Sequence, residues 1–187
     1  LTSGGNTDAE QKTYLDTIDY LRQHNAPLDA IGMQAHMGSD LTPPEDLIKI
    51  LDRFSQEKLP IEITEFTVDT ADEAAQADYE RDFMTAVFSM PATIGIVRWG
   101  FWEGAIWLPD SALVRKDWTL KPNGQAYDDL VLKKWWTRKD AISDAAGTVS
   151  LRGFLGDYRI TAARDGKNAL AVTSLTRRGS TVELMLH

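Results

Sequence analysis

Five polar or aromatic side chains follow short apolar runs of this sequence, at positions from which they could carry chemistry together. Gln34 and His36 come at the end of the first run, Glu65 ends the second, and Trp99 and Trp107 follow the third. A carboxylate can act as a nucleophile or a base, and a neighbouring imidazole can orient it and hold it ionised. The runs recur at roughly the 30-residue length of a strand-helix-strand unit.

Helical and strand patterns alternate along residues 1–137. Capping-box patterns at Thr7 and Thr42 predict the starts of two helices, and apolar spacing predicts a third over about 72–89 and a fourth after 121–124. The apolar runs predict strands at 30–35, 59–65 and 93–99. This order favours parallel strands joined by crossover helices, either in a doubly wound sheet or in part of a (β/α)8 barrel. Since ligands bind at the carboxyl ends of such strands, the five side chains are expected to share one site.

The pattern changes towards the C-terminus, which predicts a small all-β accessory domain at 139–187 after an α/β domain at 1–138. Short alternating runs replace the helical spacing, and Asp165-Gly166 is a strong hairpin signal. The runs are centred on Val149 and Leu151, on Tyr158 and Ile160, on Leu170 and Val172, and on Val182, Leu184 and Leu186.

Composition excludes several classes of function. The 187 residues carry a net charge of −8, which disfavours nucleic acid and anionic membranes as partners. There is no cysteine and there are only three histidines, so no metal or other cofactor is expected. No apolar run approaches the roughly 20 residues of a membrane-spanning helix.

Strand alternation predicts which way Glu65 points. With a period of two, Glu65 lies on the face of Ile61 and Ile63 and points into the site, while Glu62 lies on the opposite face. A carboxylate at a strand end can instead cap the next helix, and an isolated histidine such as His36 is often structural. Pairing with Glu65 makes His36 a candidate to orient that carboxylate.

Tryptophan is abundant, with six residues in the chain, all of them within 99–136. An indole ring can stack on the apolar C–H face of a pyranose, which favours a sugar ligand. The alternative is that these rings only pack in the core and against helices. The aromatic set comprises Trp99, Phe101, Trp102, Trp107 and Trp118.

Four motifs together resemble the last landmarks of family 10 glycoside hydrolases, the endo-β-1,4-xylanases. They are IGMQAH at 31–36, PIEITEF at 60–66, RWGFWEGAIW at 98–107 and KPNGQAY at 121–127. The resemblance implies the C-terminal portion of a (β/α)8 TIM barrel and a secreted, retaining hydrolase of β-1,4-xylan or xylo-oligosaccharides. It implies that Glu65 is the nucleophile, that Gln34 and His36 lie beside it, and that Trp99 and Trp107 line the sugar subsites.

Two departures from the family pattern limit this hypothesis. Thr67 stands where an Asp usually pairs with the histidine, and Asp69 is the expected substitute if the strand continues. The Asn-Glu pair that carries the acid/base carboxylate is missing, and Glu103 is the nearest replacement that the sequence offers.

The expected partner is therefore the missing N-terminal half of the barrel or a second copy of the chain. Without one, the apolar strand residues are expected to lose their cover: Ile31, Met33, Ile61, Ile63, Ile94 and Ile96. The alternatives are a non-catalytic carbohydrate-binding protein and a purely structural fragment.

Overall fold

Helices and strands alternate through the first two thirds of the chain, as the sequence predicts. The computed structural model describes residues 1–2, 6–38 and 40–187. The chain divides into two units, Leu1–Leu130 and Val131–His187. The first unit contains, in order, α1 (Asp8–Gln23), β1 (Ile31–Met37), α2 (Pro44–Ser55), β2 (Ile61–Val68), α3 (Glu73–Ser89), β3 (Thr93–Arg98), a 3-10 turn (Pro109–Ser111) and α4 (Pro122–Tyr127).

The three strands of this unit form one parallel sheet in the order β1-β2-β3. Ile31 pairs with Ile61 at the start of β1 and β2, and the register shifts by one residue between Met33 and Gln34. As a result Gln34 lies opposite Glu65, and Thr64 is the extra residue of a β-bulge. Both strands continue past their predicted ends.

Helix starts follow local signals only in part. At α1 the predicted capping box is present, with the Thr7 hydroxyl accepting from the Glu10 N–H. At α2 the predicted capping box is wrong: the helix begins at Pro44 after Pro43, without a side-chain cap. The Thr42 hydroxyl instead accepts a hydrogen bond from the side chain of Asn6.

One face of the sheet packs under α2 and α3, and this is where the core lies. Phe66 of β2 stacks on Phe83 of α3, with ring centroids 4.0 Å apart. The same face buries Ile31, Met33, Ile61 and Ile63 completely or almost completely, so the prediction that they lose their cover is wrong. Their cover comes from the chain's own helices. Ile94 of β3, in contrast, is 65% exposed.

The fourth predicted helix is present but changes its winding. α4 ends at Tyr127, and a π-helical segment continues over Asp128–Lys134, across the boundary between the units. Gly124 has no space for a side chain, because a Cβ atom there would lie 2.3 Å from the carbonyl oxygen of Leu113. This close approach fixes α4 against the loop that follows β3.

The second unit contains an antiparallel hairpin of β4 (Gly156–Arg164) and β5 (Lys167–Leu175). Its turn is the predicted Asp165-Gly166, and both residues have positive φ angles, 50° and 79°. The predicted runs at 149–151 and 182–186 form no strand in this part of the described chain. His187 exchanges backbone hydrogen bonds with Asn168, at 3.2 and 3.3 Å.

None of the helices in the described ranges is both long enough and apolar enough to cross a membrane.

Candidate active site

A carboxylate held from two sides forms the centre of the site. The Gln34 side-chain amide donates to Glu65 Oε1 at 3.1 Å, and His36 Nε2 lies 3.0 Å from Glu65 Oε2. Gln34 and His36 stand two residues apart on β1 and therefore share a face of the sheet. The predicted contact between His36 and Glu65 is present, and each carboxylate oxygen has its own partner.

The β-bulge at Thr64 determines which face Glu65 occupies. Because of the bulge, Glu65 lies on the face of Glu62, opposite to Ile61 and Ile63. The predicted face assignment is therefore wrong, although Glu65 does lie on the open face of the sheet. A strict period of two would have placed it under the helices.

Thr67 is the second hydrogen-bonding partner of His36. Its hydroxyl oxygen lies 2.9 Å from His36 Nδ1, and the residue is fully buried. Asp69 does not take this role. β2 ends at Val68, the Asp69 N–H donates to the Met37 carbonyl, and burial together with the nearby negative charge of Asp110 raises the pKa of Asp69.

Two indole rings stand beside the His36 ring. The Trp99 ring lies edge-on to it at 6.4 Å between centroids, and the Trp107 ring does so at 5.7 Å. Both tryptophans remain well exposed, at 44% and 64%. The structure thus brings all five predicted residues to the carboxyl end of the sheet, with aromatic surface open to solvent.

A buried ion pair positions the loop that carries these tryptophans, and sequence reasoning missed it. Arg98, the last residue of β3, donates to the Glu80 carboxylate of α3 at 2.9 Å and also to the Ser111 carbonyl. The guanidinium lies over the Phe66 ring at 5.1 Å. Burial raises the pKa of the Glu80 carboxyl to about 7, and the positive charge of Arg98 opposes this shift. In the sequence, the only indication of this ion pair is the arginine directly before Trp99.

Glu103 has a structural contact. Its carboxylate accepts the backbone N–H of Lys116 at 3.0 Å, and its own N–H donates to the Val114 carbonyl. These bonds join the two arms of the loop between β3 and α4. No recorded hydrogen bond of the described residues brings Glu103 or another carboxylate to Glu65.

No group of three or more His, Asp or Glu side chains in the described ranges is arranged to hold a metal ion. The side chains that the site does bring together are an oriented carboxylate, an imidazole, an amide and two exposed indoles.

A strand-end carboxylate held by an amide and an imidazole in a parallel α/β sheet defines a candidate hydrolase site. The family model described as "Glycosyl hydrolase family 10" matches residues 4–131. The chain belongs to this family. The match includes every one of the five side chains described above and ends close to the boundary between the two units.

Among curated proteins, the chain is 37% identical over 165 residues to the anti-sigma-I factor RsgI6 of Acetivibrio thermocellus. It is 32% identical over 148 residues to endo-1,4-beta-xylanase 1 of Arabidopsis thaliana. These alignments cover 87% and 79% of the chain, but only 21% and 15% of the two relatives. The chain thus spans a small part of the curated relatives that it matches.

Among solved structures, xylanase 10B of Thermotoga petrophila, determined in complex with xylobiose, superimposes with a TM-score of 0.63 at 24% identity. The Penicillium canescens endo-1,4-beta-xylanase XylE superimposes with a TM-score of 0.62 at 20% identity. The matches cover 71% and 68% of this chain and 45% and 43% of those chains. At these identities the likeness establishes the fold.

Proposed function

We propose that this chain supplies the nucleophile part of a retaining endo-hydrolase site for β-1,4-xylan. The observation that carries the proposal is the Glu65 carboxylate, fixed between Gln34 and His36 on an open face of the sheet. The three β/α repeats are the C-terminal portion of a (β/α)8 barrel. The acid/base carboxylate comes from the remainder of that barrel, in a longer polypeptide or in a partner chain.

In this mechanism Glu65 attacks the anomeric carbon of a xylosyl unit. A bond forms between a Glu65 oxygen and C1 while the bond from C1 to the glycosidic oxygen breaks, and the leaving oxygen takes a proton from the acid/base carboxylate. Water then releases the sugar with retained configuration. Two carboxyl groups about 5–5.5 Å apart are required, and this chain holds one of them at the site.

Gln34, His36 and the tryptophans serve the same step. The two hydrogen bonds on Glu65 keep the carboxylate in one orientation, which lowers the entropic cost of reaching the attack geometry. Trp99 and Trp107 offer the apolar surface on which a xylose ring stacks. Xylan as the substrate is supported by the family and by the xylobiose complex of the Thermotoga petrophila relative. Xylan is a polymer too large to enter a cell, so its hydrolase must act outside. We therefore propose that the protein is secreted.

An activated substrate tests this function on the chain as it stands. The dinitrophenolate of 2,4-dinitrophenyl β-xylobioside leaves without protonation, so Glu65 can act without the absent acid. We expect release of up to one equivalent of dinitrophenolate per chain, followed by slow turnover, and no comparable hydrolysis of xylan. General acid assistance contributes about 10²–10⁴-fold to such steps, so its absence affects xylan most strongly. Release that is unchanged in Glu65→Gln would overturn the proposal.

A second candidate function is recognition of the sugar without turnover. The observation that favours it is the 37% identical relative named as an anti-sigma factor, which is the name of a regulatory protein and not of an enzyme. In that case the chain binds xylo-oligosaccharides but releases no dinitrophenolate, and Glu65→Gln leaves the affinity unchanged. The same substrate therefore separates the two candidates.

A further inference from the structure

Trp118 has a backbone conformation that a tryptophan seldom adopts. Its φ angle is +70°, in the left-handed region, where a bulky side chain is a genuine outlier and is strained. Glycine or asparagine would occupy the same position at lower cost. The sequence nevertheless places its largest side chain there, and 65% of that residue is exposed to solvent.

The turn around Trp118 holds this conformation through several hydrogen bonds. The Trp118 N–H donates to the Arg115 carbonyl at 2.9 Å, and the Arg115 N–H donates to the Thr119 carbonyl at 2.8 Å. Asp117 accepts from both the backbone N–H and the hydroxyl of Thr119, at 3.0 and 2.7 Å. The strained residue is thus fixed by its neighbours and is not a loose loop tip.

The Trp118 ring is also held by a second indole ring. It stacks on the Trp102 ring with centroids 5.3 Å apart and planes 13° from parallel. Trp102 in turn lies against Gly104, where an added Cβ atom would fall 2.3 Å from the ring. One face of the Trp118 indole thus packs on Trp102, and the residue nevertheless keeps 65% of its surface exposed.

The stack lies at the same end of the sheet as Glu65. Arg115, in the same turn, forms a two-pronged ion pair with Glu73, with both distances 2.8 Å. Glu73 is the first residue of α3, which follows the carboxyl end of β2. Trp118 has no contact with Gln34, His36 or Glu65 among those recorded for the described residues, so it is a separate feature of that end.

We propose that Trp118 is a second sugar-stacking platform, which binds a pyranose ring of a β-1,4-linked oligosaccharide through the open face of its indole. A flat aromatic face of fixed orientation suits the apolar C–H face of such a ring, and little side-chain entropy is lost on binding. The choice of xylose as the sugar rests on the proposed function. The platform holds a sugar outside the catalytic group, so it favours long oligosaccharides over short ones.

The competing explanation is that Trp118 only shields Trp102 from water. Both explanations predict that the stack contributes to stability, so stability alone does not distinguish them. Sugar binding at the open indole face does distinguish them, because a purely structural ring has no reason to respond to an oligosaccharide.

The test uses the full chain carrying Glu65→Gln, so that no sugar is consumed. Indole N–H signals are followed by ¹H–¹⁵N NMR during titration with xylohexaose and, separately, with xylobiose. The Trp118 signal is assigned from its absence in Trp118→Asn, a replacement that the positive φ tolerates. We expect xylohexaose to shift this signal, and Trp118→Asn to weaken xylohexaose binding by about three- to tenfold with little effect on xylobiose.

Two further variants complete the design. Gly104→Ala displaces Trp102 and should weaken xylohexaose binding like Trp118→Asn, whereas Trp136→Asn removes an exposed tryptophan of the second unit and should change nothing. If xylohexaose shifts the Trp99 and Trp107 signals but not the Trp118 signal, the proposal for Trp118 is wrong while the proposed function stands. If Trp118→Asn fails to fold, Trp118→Phe supplies the assignment, because it also lacks the indole N–H, and the wild-type signal still decides. The result does not depend on whether the chain is catalytic, because binding is measured in the Glu65→Gln variant.

Discussion

At the scale of single residues, Thr67 determines the hydrogen-bond direction around His36. An ionised carboxylate only accepts, so the contact with Glu65 requires a proton on His36 Nε2. Nδ1 then accepts from the Thr67 hydroxyl, which is buried and has no other recorded partner among the described residues. If Nδ1 were also protonated, that hydroxyl would lose its acceptor, at a cost of about 1–3 kcal/mol. We therefore expect the His36 proton on Nε2, with Nδ1 as the acceptor.

Thr67→Val tests this expectation, because it keeps the shape of the side chain and removes the hydroxyl. Loss of one such hydrogen bond is worth about 0.5–1.5 kcal/mol, so we expect dinitrophenolate release to slow by about three- to tenfold. Thr67→Ser is the matched control and should retain the wild-type rate. Imidazole ¹⁵N shifts report the tautomer directly in a chain with three histidines. A proton on Nδ1 in the wild type would contradict the account.

Several site residues were predictable from sequence because they depend on repeat length and strand order. Gln34, His36 and Glu65 follow strands, and parallel strands end at one edge. The face of Glu65 was not predictable in this way, because the bulge at Thr64 arises from the pairing of β2 with β1 and has no local signal. Thr67 departs from the family pattern in the sequence, but its contact with His36 depends on the pairing of β1 with β2, which the sequence alone does not specify.

At the scale of elements, the pair formed by Glu80 and Arg98 couples α3 to β3 and makes stability depend on pH. Burial raises the pKa of Glu80 from the usual 4.5 to about 7, so the folded chain binds this proton more tightly than the unfolded chain does. Proton binding by Glu80 therefore stabilises the folded chain in full below pH 4.5, and this stabilisation is lost as the pH rises through about 7. The expected contribution is on the order of 3 kcal/mol.

Glu80→Gln should remove this pH dependence while keeping an oxygen for Arg98. The free energy of unfolding, measured with urea at several values between pH 4.5 and 7.5, should fall with pH in the wild type and change much less in the variant. Glu57→Gln, at an ion pair with Arg22 that is partly open to solvent, serves as the control and should keep the wild-type slope. A wild-type stability that rises over this range would contradict the assignment.

The elements also show where local sequence signals suffice. The capping box at Thr7 formed as predicted because its partner Glu10 is three residues away. The same pattern at Thr42 failed because two prolines move the helix start to Pro44 and a distant residue engages the Thr42 hydroxyl. The π-helical segment after α4 has no comparable local pattern.

At the scale of the whole molecule, the sheet of the first unit has two edge strands and one open face. β1 and β3 are the outer strands of the three-stranded sheet, and Ile94 and Val97 of β3 are 65% and 45% exposed. Edge strands with exposed apolar side chains favour pairing with further strands. This chain matches 45% and 43% of the two solved xylanases compared above.

We therefore expect the isolated chain to self-associate. Sedimentation velocity should show a sedimentation coefficient that increases with protein concentration. Ile94→Lys combined with Val97→Lys should reduce this increase, because charged side chains protect strand edges. Ile142→Lys, at a 94% exposed residue outside the sheets, is the control and should leave it unchanged. A wild-type chain that stays monomeric at all concentrations would contradict this prediction.

The central claim is that Glu65 is the nucleophile, and covalent trapping tests it most directly. A 2-fluoro-substituted 2,4-dinitrophenyl xylobioside should transfer its sugar to Glu65. In the proposed function the base that activates water lies in the remainder of the barrel, so the intermediate should persist. Mass spectrometry of the intact chain and of its peptides should then find one 2-fluoroxylobiosyl group, attached to Glu65. A label on another residue, or an unlabelled chain that still binds xylo-oligosaccharide, would contradict the account.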